Sequence, residues 1–111
     1  MAMYLAKFTH TPLAWAGLLA NPEDRREALA PVFQAAAGKL HGYWYAFGDA
    51  DGYLLVELPD DIAAASTVIK AASSGAFASL STTKLLTVEE TLEALRRGGG
   101  VDYRAPGAPG S

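Results

Sequence analysis

From Lys39 to Leu58 the chain passes through two runs dense in aromatic and branched residues, separated by Gly48-Asp49-Ala50-Asp51-Gly52. Two such runs around a cluster of turn residues predict a β-hairpin, with strands over 40–47 and 53–58. Upstream, residues 3–9 predict a first strand stopped by Thr11-Pro12. Thr11 then caps a short helix with Pro12 at its first position and Trp15, Leu18 and Leu19 at helical spacing. Asn21-Pro22, followed by Glu23 and Asp24, predicts the start of a longer helix striped by Leu29, Val32, Phe33 and Ala36 and ended by Gly38. Pro31 inside it predicts a kink or break over 27–31, because proline cannot donate the hydrogen bond to the residue four back.

After the hairpin, Pro59-Asp60-Asp61 predicts a helix start, with Ile62, Ala65, Ile69, Ala72 and Ala76 as its inner stripe. Residues 77–86 predict a fourth strand. Thr87 and Glu90 stand at capping-box spacing before a last helix over 88–97, whose inner stripe is Val88, Leu92 and Leu95. The β-α-β order occurs twice, which is the ferredoxin-like βαββαβ plan: an α+β fold with a four-stranded antiparallel sheet and an added C-terminal helix. The composition changes at Gly98, so the expected division is a folded domain over 1–97 and a flexible Gly/Pro-rich tail over 98–111.

In this plan both crossover helices cover one sheet face and leave the other bare. Strict alternation over 40–47 puts His41, Tyr43, Tyr45 and Phe47 on one side and Leu40, Trp44 and Ala46 on the other, so neither side is polar. A bare face of that kind is larger than soluble monomers usually leave exposed. A second copy is the simplest cover, giving a homodimer or higher homo-oligomer in which two sheets form an α+β barrel.

Composition narrows the chemistry. The 111 residues carry a net charge of −3 and contain no cysteine. Without a basic cluster the expectation is no nucleic-acid partner and no membrane partner. Thiolate nucleophiles, disulfides and thiolate metal sites are excluded. The N-terminus lacks the pattern of a signal peptide, and no stretch nears the roughly 20 apolar residues that span a bilayer, so the expected location is cytoplasmic.

His10 and His41 are the two side chains that ordinarily titrate near neutral pH, and each has the chemistry of a general base or a haem ligand. Neither has a second ligand at metal-binding spacing, so no metal and no cofactor are expected. Glu57, in a strand of Leu, Val and Tyr, is expected to pair with Lys7 or Lys84 or to meet a ligand. Asp49 and Asp51 fit either turn chemistry or a carboxylate pair at a cavity mouth. Tyr43, Trp44, Tyr45 and Tyr53 can wall a pocket for a flat molecule, and hairpin register decides which of them share a face. The ligand-binding set is therefore Tyr43, Trp44, Tyr45, Tyr53, Glu57, His10 and His41, placed on the bare face around Glu57.

Three stretches also carry a resemblance: residues 42–48 (Gly-Tyr-Trp-Tyr-Ala-Phe-Gly), 56–61 (Val-Glu-Leu-Pro-Asp-Asp) and 82–90 (Thr-Thr-Lys-Leu-Leu-Thr-Val-Glu-Glu). Together they resemble the GYD-domain family of small bacterial proteins, which is similar to the wider group of dimeric α+β barrels. In the name-giving motif Asp51 matches, while Ala50 stands where the family has tyrosine. The resemblance implies a barrel that binds a small hydrophobic or aromatic molecule, with cofactor-independent isomerase, cyclase or monooxygenase activity as the analogy. The alternative is a non-catalytic assembly module whose aromatic face serves only as a subunit interface.

Overall fold

The computed structural model describes residues 1–107 and 109. Its elements are β1 (Ala2–His10), α1 (Pro12–Ala20), α2 (Arg25–Ala35), β2 (Lys39–Tyr45), β3 (Gly52–Leu58), α3 (Asp61–Ala72), β4 (Phe77–Leu85) and α4 (Val88–Gly99). The strands form one antiparallel sheet in the order β2-β3-β1-β4. The α+β class and the four-stranded antiparallel sheet are as the patterning predicts.

The barrel is not. β2 and β4 are free edges, so the sheet is open. The uncovered face is also less apolar than alternation alone suggests, because β4 contributes Ser79, Ser81 and Thr83 to it, beside Thr9 and Lys7 of β1. The expectation of a homodimeric barrel enclosing a hydrophobic ligand is therefore corrected.

The core lies between the sheet and α2 and α3. Tyr4 and Phe8 of β1 and Leu54, Val56 and Leu58 of β3 point to the same side and pack with Phe33 and Ala64. The inner face of α3 is Ala64 and Thr67, whereas Ile62 and Ile69 are exposed, which rotates the helix away from the stripe its isoleucines predict. Small residues win because they let the helix approach the sheet.

α2 starts at Arg25, capped by the Asp24 carboxylate, and not at Asn21-Pro22. It runs unbroken past Pro31. Ala37 follows it with φ of 60° and lets the Gly38 N–H reach the Phe33 carbonyl at 2.8 Å. Gly38 is required at this point by space, since a side chain there would strike the Glu57 carbonyl and Leu58.

The capping box of α4 forms as expected, with Thr87 and Glu90 bonding each other's backbone N–H at 3.0 Å. Its predicted inner stripe has nothing to pack on: Val88, Leu92 and Leu95 are 71%, 45% and 66% exposed. The helix includes Gly98 and Gly99, two residues that the tail boundary had excluded. The tail's Ala108, Gly110 and Ser111 lie outside the described residues.

Candidate functional site

Hairpin register decides which aromatic residues meet. β2 and β3 pair Tyr43 with Leu54, Trp44 with Tyr53 and Tyr45 with Gly52, and a bulge at His41 interrupts the ladder between Leu40 and Gly42. One extra residue moves Leu40 onto the same side as Tyr43 and Tyr45. The seven expected site residues therefore separate. His10, Tyr43 and Tyr45 lie on the helix-covered side, while Trp44, Tyr53, Glu57 and His41 lie on the open side.

On the open side Glu57 pairs with neither expected lysine. His41 Nε2 and Glu57 Oε1 are 3.0 Å apart, and Lys84 instead reaches Asp61 at 3.1 Å. Lys7 stands opposite Tyr53, two pairing positions along β1 from Leu5 opposite Leu55. Trp44 is 54% exposed, and it borders with His41, Arg26 and Leu40 a shallow, open cleft of about 410 Å3 that leaves Tyr53 and Glu57 outside.

The covered side holds a denser constellation, and it begins at the end of β1. His10 is 8% exposed. Its ring stacks on Phe77 at 5.2 Å and meets the rings of Phe8 and Trp15 edge-on at 5.0 and 4.9 Å. His10 Nδ1 is 3.1 Å from the Ala76 carbonyl oxygen, which only accepts, so Nδ1 carries the proton. In the neutral ring that leaves Nε2 as an acceptor with a free lone pair. Nε2 is buried, and no described residue donates to it. Buried polar atoms almost always have a partner, and the chemistry of this one calls for an N–H or O–H.

Asp51 fixes the ring's backbone. Its Oδ2 accepts the His10 backbone N–H at 2.9 Å and the Trp15 indole N–H at 3.2 Å, and its own N–H donates to the Phe8 carbonyl at 2.8 Å. A single loop carboxylate thus joins β1, α1 and the hairpin. Gly52 follows it because a side chain at that position would collide with the Phe8 ring and the Trp44 carbonyl. Asp49, by contrast, is exposed.

His10 forms part of the wall of a cleft of about 270 Å3 between α1, the start of α2 and the sheet. Leu18, Leu29 and Phe77 give it an apolar floor, and Asn21, Arg25 and Tyr43 add polar groups. Arg25 and Glu23 form an ion pair at 2.8 Å at its edge. Burial, and then the neighbouring Tyr45 hydroxyl, push the Tyr43 phenol well above the ordinary tyrosine value, so it is a neutral hydroxyl. His10 Nε2 is an acceptor closed off from solvent, and Arg25 and the Tyr43 hydroxyl can donate hydrogen bonds into the cleft.

Leu18, Arg25 and Phe77 of the cleft, and Trp15 packed on His10 behind it, were absent from the set expected on sequence. Their only signal was the Thr11-Pro12 helix start, which sets Trp15 and Leu18 on one face of α1. Among the described residues there is no group of three His, Cys, Asp or Glu side chains able to hold a metal ion, and no helix is long and apolar enough to cross a membrane.

The sequence pattern of the GYD domain matches residues 4–95, which takes in the whole sheet and the cleft. No curated protein matches the chain.

Proposed function

The chain belongs to the GYD domain family, and from that premise we propose that it is a binding domain for a small amphipathic molecule held in the His10 cleft of a single chain. The observation that carries this reading is the buried, unpartnered Nε2 of His10. A ligand N–H or O–H satisfies it once the rings around His10 part enough to open Nε2 to the cleft. The apolar body of such a molecule lies against Leu18, Leu29 and Phe77, and an acceptor at its far end meets Arg25 or the Tyr43 hydroxyl.

The volume supports only a small molecule, since it falls just below the range of about 300 to 1,000 Å3 common for ligand pockets. The wall supports selectivity as well as binding. His10 is clamped by three aromatic rings, the Ala76 carbonyl and Asp51, so its lone pair has a fixed direction, and a fixed acceptor discriminates a donor from its apolar isostere.

Native mass spectrometry of the chain isolated from its own source without denaturation tests the reading. The wild type is expected to retain a small molecule, and Leu18→Trp, which fills the cleft and leaves His10 intact, is expected to lose it. A wild type without retained mass, or a molecule kept equally by both proteins, overturns it.

A further inference from the structure

We propose that the His10 cleft takes a straight-chain hydroxy acid whose hydrocarbon tail runs on past Leu29 and Phe77 into a second, apolar crevice between α2 and α3. The proposal rests on the reading of that cleft as a binding site and names the class of molecule it holds.

The crevice begins with a small residue at the centre of the covered sheet face. Tyr4, Ala6 and Phe8 of β1 point to the same side. Tyr4 and Phe8 fill the core, whereas Ala6 between them leaves space, with Leu54 of β3 opposite it on one side and Thr82 of β4 on the other. The helices do not close over this space. α2 packs on β2, α3 packs on β3 and β4, and the two helices make no substantial contact with each other. What remains is a crevice of about 60 Å3, floored by Ala6, Leu54 and Val56 and walled by Phe33 of α2 and by Ala64 and Ala71 of α3. The buried Thr67 hydroxyl beside it donates to the Ala64 carbonyl at 2.8 Å and is not free for a ligand.

Size selects the shape of the tail. An apolar cavity of about 150 Å3 takes a benzene ring, and the crevice has less than half of that volume. It admits an unbranched hydrocarbon and no ring. Leu29 and Phe77 line both the crevice and the His10 cleft, so the two spaces meet at these side chains. Phe77 is also the ring stacked on His10 at 5.2 Å. A tail seated between Leu29 and Phe77 turns aside one of the rings that shut His10 Nε2 from the cleft, so entry of the tail and exposure of the acceptor are one movement.

The head follows from the polar groups of the cleft. His10 Nε2 is buried without a donor, and a hydroxyl supplies one. Arg25 gives Nη1 to Glu23 at 2.8 Å, and the guanidinium has further N–H donors for a carboxylate. A simple fatty acid leaves Nε2 unpaired, and a simple alcohol leaves Arg25 without its anion. A hydroxy acid satisfies both.

Isothermal titration calorimetry of the full chain with 3-hydroxybutanoate, 3-hydroxyhexanoate and 3-hydroxyoctanoate tests this, because the three share one head and differ only in the tail. Each methylene group that becomes buried is worth about fourfold in affinity. The eight-carbon acid is therefore expected to bind at least about tenfold more tightly than the four-carbon one, and at least about tenfold more tightly than n-octanoate, which lacks the hydroxyl. Ala71→Leu, which fills the crevice from α3, is expected to bind the eight-carbon acid no better than the four-carbon one. Thermal unfolding verifies that this variant is folded, and Val68→Phe, from the neighbouring turn, repeats the test if it is not. Absence of binding by all three acids overturns the proposal, as do affinities that do not rise with length, n-octanoate binding as tightly as its hydroxy counterpart, or a length preference that persists in a folded crevice-filling variant. Retained mass and its loss in Leu18→Trp judge the cleft itself separately, so the cleft can stand while the hydroxy acid falls.

Discussion

Asp51 Oδ2 accepts the backbone N–H of His10 at 2.9 Å, so the hairpin loop holds the last residue of β1 in place across 41 residues of sequence. The same oxygen takes the Trp15 indole N–H. Removing it leaves two donors in a half-buried position without their acceptor. Asp51→Ala is expected to lower unfolding stability by about 1.5–3 kcal/mol, the usual range for hydrogen bonds to a charged group. Urea unfolding checks this, and a loss under about 0.5 kcal/mol would mean that the loop does not anchor β1.

The Tyr4 hydroxyl donates to Asp61 Oδ1 at 2.6 Å, and Lys84 approaches the same oxygen at 3.1 Å. Tyr4 first, and then Lys84, hold the Asp61 carboxyl below its ordinary value. The hydrogen bond to Asp61 pushes the Tyr4 phenol up to about 12. A depressed carboxyl contributes stability that is full above its unfolded value and is lost as pH falls through the folded one. A raised phenol contributes stability that is full below its unfolded value near 10 and is lost as pH rises toward 12. Tyr4→Phe is therefore expected to flatten both limbs of the stability–pH profile, with its smallest effect on slope near neutral pH. Identical slopes in wild type and variant at both ends would remove this pair from the account.

Two backbone sites both favour glycine, so exchanges in opposite directions predict opposite signs. Ala37 sits at φ of 60°, where an L side chain costs about 1 kcal/mol relative to glycine. Ala37→Gly is expected to stabilise the domain by up to that amount. Gly52→Ala drives a methyl group into the Phe8 ring and the Trp44 carbonyl, and overpacking of this kind costs about 1–3 kcal/mol. Thermal unfolding of the two variants checks the pair: a lower midpoint for Ala37→Gly would contradict the first assignment, and an unchanged or higher midpoint for Gly52→Ala the second.

Local chemistry was legible in the residues. Thr11 with Pro12, Asp60, and Thr87 with Glu90 each cap the helix that their types and spacing predict. The division of the aromatic residues between the two faces was not legible, because it depends on a single bulge at His41 that no turn residue announces. The environment of His10 was hidden for a different reason. Its partner carbonyl is 66 positions away, and its stacking partner Phe77 enters from β4, which neighbours β1 in the sheet but is remote in sequence. The barrel expectation rested on the alternation of β2 and β3 and left out β4, whose Ser79, Ser81 and Thr83 hydroxyls let part of the sheet face meet water.

The most direct test of the account is the nitrogen-15 shift of His10 Nε2 at neutral pH. It is recorded on protein isolated from its own source without denaturation, and again after unfolding, dialysis and refolding. The account predicts a proton on Nδ1 in both samples, a hydrogen-bonded Nε2 in the first, and a free Nε2 in the second that returns to its first position when the dialysed small-molecule fraction is added back. An Nε2 that resonates at one frequency in all three samples, or a proton found on Nε2 in place of Nδ1, would contradict it.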